Sequence, residues 1–371
     1  MPKTVVVIPA LNPAGVLAEY AQKLIDAGID LVVAVDDGSA PEYRGVFDVL
    51  RAMPKTLVLV HEKNRGKGAA LKTAFSYIKD NVEDAEIIVT ADSDGQHLPA
   101  DILKLSEIAG KLAEPALLLG SRDFSRPDIP PKSRFGNKLT TVIFRWTHGL
   151  NLPDTQTGLR AFPASLLTDM ASVRGERYEY EMEMLIYAAR KKLPVIVEPI
   201  TTVYENNNEG THFHPVRDSY RIYKVILASF FKYILSSCAA TLVDLLIFNR
   251  LCAWVFPNDS RWLTLLAATL IARTCSACVN FMINRDHVFG FKGDNKRAAA
   301  RYAVLAVGVL IVSSLCVYFI TGAFSFEIRS SRVDTSFAQT MIKAVVDTVL
   351  FFLNYQLCRR WVFGEEKGDK Q

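Results

Sequence analysis

Glu86-Ile87-Ile88-Val89-Thr90-Ala91-Asp92-Ser93-Asp94-Gly95-Gln96-His97 is an apolar run that stops on two carboxylates separated by one spacer. A short apolar run bounded by turn residues reads as a buried strand. Open α/β sheets bind their ligands at the carboxyl ends of their strands, and Asp92 and Asp94 stand at that end. Paired carboxylates there offer hard oxygen ligands suited to Mg2+ or Mn2+. The simplest task for such an edge is to hold a metal-bound nucleotide diphosphate.

Outward from this run the first half of the chain keeps one rhythm. Val5–Ile8, Leu31–Val35, Thr56–Val60, Ile87–Ala91 and Ala116–Leu119 read as strands, and Val16–Ala27, Gly68–Ile78 and Ala100–Leu112 between them as helices. Alternation of this kind predicts a mostly parallel sheet with helices on both faces. The distinctive residues fall at the strand ends: Pro9 to Asn12 after the first, Asp36-Asp37-Gly38-Ser39 after the second. By chemistry alone Asp37 can accept a hydrogen bond from a base N–H, although an Asp-Gly turn is also ordinary loop structure. Asn64-Arg65-Gly66-Lys67-Gly68-Ala69, ahead of a helix, offers backbone amides and Lys67 to phosphate. It lacks the P-loop spacing, which excludes an ATPase of that class.

Taken together, Val7-Ile8-Pro9-Ala10-Leu11-Asn12, Asp36-Asp37-Gly38-Ser39, Asn64-Arg65-Gly66-Lys67-Gly68, Asp92-x-Asp94-Gly95-Gln96-His97, Gly120-Ser121-Arg122 and Asp154-Thr155-Gln156-Thr157-Gly158-Leu159-Arg160 resemble family 2 inverting glycosyltransferases. The likeness is to the branch of dolichyl-phosphate mannose synthase and the polyprenyl-phosphate glucosyltransferases, and covers about the first 215 residues. It implies a GT-A, Rossmann-like fold and a nucleotide-sugar donor, GDP-mannose or a UDP-hexose. It places Pro9, Leu11, Asn12, Asp37, Lys67, Asp92 and Ser93 around the nucleotide sugar, with Asp37 on the base. Asp94 and Gln96, with Asp92, would hold the metal. Many relatives carry Glu where this chain has Pro13, which leaves the base open.

The acceptor of that branch is a polyprenyl or dolichyl phosphate, already anionic near neutral pH, so a strong general base is dispensable. Asp154 and Glu179 then orient the sugar or acceptor, and with Asp94 form the expected catalytic set. A helix over Tyr178–Tyr187 puts Glu179 and Glu183 on one face, with Glu181 elsewhere. Arg126, Lys132, Arg134, Lys138 and Arg145 are interleaved with Phe135, Val142, Ile143, Phe144 and Trp146. Cations beside apolar residues suit a helix lying in the headgroup layer; the plain alternative is an ordinary amphipathic surface helix. Arg122 and Arg134 are the expected ligands of the lipid phosphate, since guanidinium grips phosphate bidentately. Arg217, in His214-Pro215-Val216-Arg217, either closes over the donor diphosphate or is a charged flank of the membrane.

From about Ser229 the chain turns apolar in four runs, 231–254, 262–283, 302–323 and 337–357, each near the ~20 residues that cross a bilayer. The expected domains are thus 1–215 and, all-helical, 216–371. No secretory pattern precedes Thr4-Val5-Val6-Val7-Ile8, and Arg217, Arg221, Lys224, Arg285, Lys292, Lys296, Arg297, Arg301, Arg359 and Arg360 flank the runs. Positive flanks mark the cytoplasmic side, which puts both termini and the catalytic half inside. A net charge of +4 over 371 residues is too mild to argue for nucleic acid. All six cysteines lie in the membrane half, where Cys275-x-x-Cys278 reads as small packing residues.

The second and fourth runs end alike: Asn280-Phe281, Arg285 and Val288-Phe289-Gly290 against Asn354-Tyr355, Arg359 and Val362-Phe363-Gly364. With Thr241-x-x-Asp244, this doubled two-helix unit resembles the GtrA-like family, whose proposed link to lipid-sugar translocation is an expectation from resemblance. Arg273 and Asp347 hold equivalent places in the repeat and are expected to pair, or Arg273 with Asp244. The leading reading is a membrane-bound, metal-dependent hexosyltransferase acting from nucleotide sugar to polyprenyl phosphate, with room for an oligomer. A lipid-sugar transporter or scaffold with an inactive transferase half is one rival. A processive synthase is the other, although Gln356-x-x-x-Arg360-Trp361 is one residue too long for its signature.

Overall fold

The computed structural model describes residues 2–124, 129, 131–201, 215–255, 262–323 and 335–364, and at 132, 215, 255, 262 and 335–338 the backbone alone. The chain forms two compact units, Met1–Ile226 and Leu227–Gln371.

In the first unit the strands are β1 (Thr4–Ala10), β2 (Leu31–Asp36), β3 (Thr56–Val60), β4 (Ile87–Thr90), β5 (Leu117–Ser121), β6 (Arg160–Pro163) and β7 (Val195–Pro199). They make one sheet in the order β3-β2-β1-β4-β6-β5-β7. Side chains alternate between the faces of a strand, and here both faces are apolar. Val5, Val7, Val33, Val35 and Ile88 pack with α3 (Lys67–Asn81), α6 (Leu167–Ser172) and α7 (Glu179–Lys191). Val6, Ile8, Val32, Ala34, Ile87 and Val89 pack with α1 (Val16–Asp26), α2 (Arg44–Ala52) and α4 (Pro99–Lys111). Each such side chain contributes roughly 1.5–3 kcal/mol on full burial, so the centre of the sheet is a rigid floor. The expected mostly parallel, GT-A-type α/β sheet is what forms.

One strand breaks the rule. β6 runs antiparallel to both neighbours, pairing Thr90 with Arg160 and Ile87 with Pro163 on one side and Leu118 with Ala161 on the other. Its reversed sense delivers residues 154–159 to the edge where β4 ends. The unit is completed by α5 (Pro131–His148) and α8 (Pro215–Ile226).

The second unit is all helical: α9 (Ala228–Arg250), α10 (Trp262–Ile283), α11 (Asn295–Ala323) and α12 (Thr335–Leu357). Among the described residues, four helices are long and apolar enough to cross a membrane, at Ala228–Trp254, Leu263–Val288, Asn295–Ala323 and Gln339–Val362. The third starts before the apolar run at 302, because the helix continues through its basic flank of Lys296, Arg297 and Arg301. Leu242, Leu245, Leu270, Leu310, Val345 and Leu353 point outward, as lipid-facing side chains do, while the polar groups turn in. Ser236 donates to Asn284 Oδ1 at 2.7 Å, Asn284 to Asn280 at 3.0 Å, and Asn354 to the Tyr233 hydroxyl at 2.7 Å.

The internal repeat is visible in the backbone. A π turn closes each pair of helices, at Asn284–Val288 and Cys358–Val362, with the Phe289 amide on Asn284 O (2.9 Å) and the Phe363 amide on Cys358 O (2.8 Å). Of the two expected pairings of Arg273, the one formed is with Asp244, at 3.6 Å, and Ser276 also donates to Asp244. Asp347 instead takes Lys343 at 2.7 Å and the Ser313 hydroxyl at 2.6 Å. All six cysteines are free thiols.

Candidate active site

Asp92 follows β4 and is tied on both oxygens. Lys67, at the start of α3, sets its ammonium 2.6 Å from Oδ1, and His97 Nε2 lies 3.2 Å from Oδ2. Lys67 also bridges to Glu181 in the first turn of α7 at 2.8 Å. Behind them Arg160 is buried, its Nε donating to Thr157 O at 3.1 Å and its Nη1 to Glu181 O. Burial works to raise the Asp92 carboxyl, but Lys67 and His97 outweigh it and hold the group far below the usual carboxylate range. Burial likewise opposes the Lys67 charge, and Asp92 and Glu181 overcome it, so its ammonium is held charged. For Arg160, burial outweighs the negative charges nearby, Glu181 foremost, and lowers the guanidinium.

This arrangement depends on Gly158. Thr90 Oγ1 donates to Gly158 O at 2.8 Å, drawing the β6 approach against β4. A Cβ at Gly158 would stand 2.4 Å from Asp92 Oδ2. Tyr20 reaches over from α1 to donate to His97 O at 2.7 Å.

Asp94 lies at the rim, its Oδ1 accepting the Gln96 amide at 3.0 Å across the turn at Gly95. Burial, then the charge of Asp92, raise its carboxyl. Among the described residues no three His, Cys, Asp or Glu side chains converge as a ready metal cage. Asp94 and Gln96 remain hard donors at this edge. That fits a cation of the Mg2+ type, which takes one or two carboxylates from protein and the rest of its oxygens from substrate phosphate and water.

Beside this cluster, Asp37 is buried at the end of β2. It accepts the Arg65 and Gly66 amides at 2.9 and 2.7 Å and faces His61 Nδ1 at 2.7 Å. The carboxylate expected on the base fixes the 64–66 loop ahead of α3 from inside the protein. Asn12, with φ +47°, donates its amide to Ser39 Oγ at 2.9 Å and accepts from Ala40 at 2.8 Å. This joins the turns after β1 and β2. Pro9, Leu11 and Ser93 are partly exposed on the same edge.

A second cluster is built on the β6 approach. Arg122, just past β5, grips the fully buried Asp154 with Nε at 2.8 Å and Nη2 at 3.3 Å. Its guanidinium also lies over the Phe124 ring, 5.1 Å from the centroid. The polar face of α5 holds this loop: Asn137 donates to Pro153 O at 2.7 Å, and Gln156 Nε2 to Thr140 Oγ1 at 3.4 Å. Asn137, Thr140 and Thr147 are buried, whereas Phe135, Leu139 and Val142 are 68, 39 and 49% exposed beside exposed Arg134, Lys138 and Arg145. Phe144 anchors the helix in the core, so α5 carries a second, outward apolar patch among cations. α8 repeats the theme with Val216 and Tyr220 outward near Arg217, and Tyr223 bonded to Thr140 at 3.1 Å.

The structure therefore gathers Asp92 and Lys67 in one cluster and Arg122 with Asp154 in another. Arg134 and Arg217 stand on outward helix faces. Glu179 takes the Glu176 and Arg177 amides on Oε1 at 3.2 and 3.3 Å, shaping the turn before α7. Arg126, His214 and the Lys132 side chain lie outside the described residues. Glu181, His97, His61 and Arg160 are participants that sequence reasoning passed over. The signal for Glu181 was its place in the acidic block beside Glu179, and for His97 its place in the Asp92 block.

Residues 5–167 match the family described as glycosyl transferase family 2, and residues 232–363 the GtrA/DPMS transmembrane domain. The chain is 31% identical to a UDP-N-acetylglucosamine–dolichyl-phosphate N-acetylglucosaminyltransferase of Methanococcus voltae, over 53% of this chain and 84% of that protein. It is 26% identical to an undecaprenyl-phosphate 4-deoxy-4-formamido-L-arabinose transferase of Sodalis glossinidius, over 45% of this chain and 51% of that one. Among solved structures, the glucosyl-3-phosphoglycerate synthase of Mycobacterium tuberculosis is similar at 15% identity and a TM-score of 0.44, over 61% of this chain and 79% of that chain.

Proposed function

Because the chain belongs to glycosyl transferase family 2 and carries a GtrA/DPMS-type transmembrane domain, we propose that it transfers a sugar from a nucleotide donor to a polyprenyl phosphate at the cytoplasmic face of a membrane. The observation that carries this reading is the outward apolar patch of α5, set among cations. A helix that buries Asn137 and Thr140 while exposing Phe135, Leu139 and Val142 among cations suits an apolar, anionic surface. It is hydrogen-bonded to the loop that holds Asp154 against Arg122. The basic flanks of the four spans support the cytoplasmic side, and the two named relatives support a polyprenyl-type acceptor.

The residues divide the work as follows. The turns after β1 and β2, cross-linked through Asn12 and Ser39, and the loop fixed by Asp37 form the donor's nucleotide end. Asp94 and Gln96, beside Asp92, would hold a divalent cation, which when bound offsets charge on the departing diphosphate. Arg122, oriented by Asp154, meets the acceptor phosphate bidentately, and Arg134 adds positive charge from α5. The acceptor oxygen is already anionic, so no side chain need remove a proton. Attack by that oxygen opposite the diphosphate inverts the sugar.

The test is transfer of radiolabelled sugar into butanol-extractable lipid by the full chain in vesicles, with UDP-N-acetylglucosamine, UDP-glucose and GDP-mannose offered separately. Product from one donor, reduced about 100-fold or more in Asp94→Ala, is the expected result. Product at the wild-type rate without Asp94 overturns the assignment of that residue.

A further inference from the structure

Lys67 stands where a phosphate-binding lysine was expected, yet its side chain is only 16% exposed and its ammonium is clamped between Asp92 at 2.6 Å and Glu181 at 2.8 Å. The second oxygen of Asp92 faces His97, and the Gly158 backbone closes against it. The Lys67 ammonium meets the carboxylates of both Asp92 and Glu181, and buried Arg160 donates to the Glu181 backbone carbonyl behind them. Breaking one partner of a buried pair leaves an uncompensated charge, which is strongly unfavourable. A divalent cation that took Asp92 as ligand would have to displace the ammonium or lie against it. Asp94, the carboxylate left at the rim, is a single ligand, and its Oδ1 already accepts the Gln96 amide.

We infer that Lys67 is the resident counter-cation of Asp92, and that a divalent cation therefore binds this site weakly until a nucleotide diphosphate enters with it. The diphosphate brings both the missing oxygen ligands and the negative charge that lets a cation approach the ammonium. Lys67 is thus a positioning residue that acts through Asp92. It keeps that carboxylate aligned under the donor and keeps the empty site from collecting free metal. The inference rests on the nucleotide-donor reading above.

The experiment is Mn2+ binding to the full chain in detergent, followed by loss of the free-ion electron paramagnetic resonance signal, alone and with UDP or GDP. Wild type should bind Mn2+ about tenfold more tightly with one of the nucleotides than without. Lys67→Met should raise the nucleotide-free affinity about tenfold and shrink the nucleotide effect, because Asp92 loses its ammonium. Lys67→Arg, which keeps the charge, should resemble wild type, an outcome that a purely space-filling role does not require. Should Lys67→Met fail to give a folded, monodisperse protein, Lys67→Gln is read in the same way. Nucleotide-free affinity in the neutral variant equal to or weaker than wild type overturns the inference and leaves the donor reading intact. Mn2+ binding by wild type that is as tight without nucleotide as with it also overturns the inference. Absence of Mn2+ binding with either nucleotide, in wild type and variants alike, overturns the metal assignment itself.

Discussion

Gly158 has no side chain, and that absence lets the Asp92 carboxylate lie where Lys67 and His97 can both reach it. Replacing it by Ala puts a methyl group 2.4 Å from Asp92 Oδ2, a contact that real structures do not tolerate. Overpacking of this kind costs about 1–3 kcal/mol, and displacement of a positioned group by an ångström can cost about 100-fold in rate. Gly158→Ala should therefore lower labelled-lipid formation about 100-fold while the chain still folds in detergent. Activity within a few-fold of wild type would show that Asp92 need not sit where it does. Asp37 teaches the opposite lesson. Its motif stands out in the sequence, but its oxygens meet two amides and His61, so it shapes the donor loop from within.

At the scale of elements, α5 carries the membrane reading. Phe135, Leu139 and Val142 offer no internal reason for their exposure. Phe135→Asp and Val142→Asp should leave nucleotide binding unchanged and raise KM for polyprenyl phosphate in vesicles about tenfold each, the order expected from losing part of a buried apolar side chain. An unchanged KM with both substitutions would make α5 an ordinary surface helix. In the membrane unit, the Asp244–Arg273 pair joins α9 to α10, although the Arg273 side chain is 74% exposed. Polar contacts between membrane helices couple by about 0.6 kcal/mol on average and up to about 1.7. A double-mutant cycle of Asp244→Ala and Arg273→Ala, read by thermal melting in detergent, should return a coupling in that range. Strict additivity would mean that the two side chains act independently.

Over the whole molecule, what could be read from the sequence was what local patterning decides. The central parallel strands β1, β2, β4 and β5 announce themselves because both faces are buried, and the spans because length and apolarity suffice; the parallel edge strand β7, only partly buried, was passed over. β6 gave no such sign. Arg160-Ala161-Phe162-Pro163 is short, begins with a charge and ends on proline, and only its neighbours β4 and β5 make it a strand. The same limit applies to the site. Asp92 and Asp94 were legible as neighbours along the chain. Lys67 against Glu181, or Arg160 behind both, was not, because those partners meet only through the packing of α3 on α7 and the register of β6.

That antiparallel strand has a consequence for how the sheet holds together. β1 to β4 form one contiguous leaf, and β5 with β7 another; among the described residues β6 alone joins them in the sheet. The proposed donor residues Asp92 and Asp94 lie on the first leaf, while Arg122 follows β5 on the second. A ternary complex then bridges the seam and acts as a clasp across it. Donor and acceptor analogues added together should slow hydrogen exchange of the Val89 and Ala161 amides more than either does alone, with nonadditivity as the readout. Purely additive protection would mean that the leaves do not part along β6. On this reading the join between the two leaves is fastened by the substrates it serves.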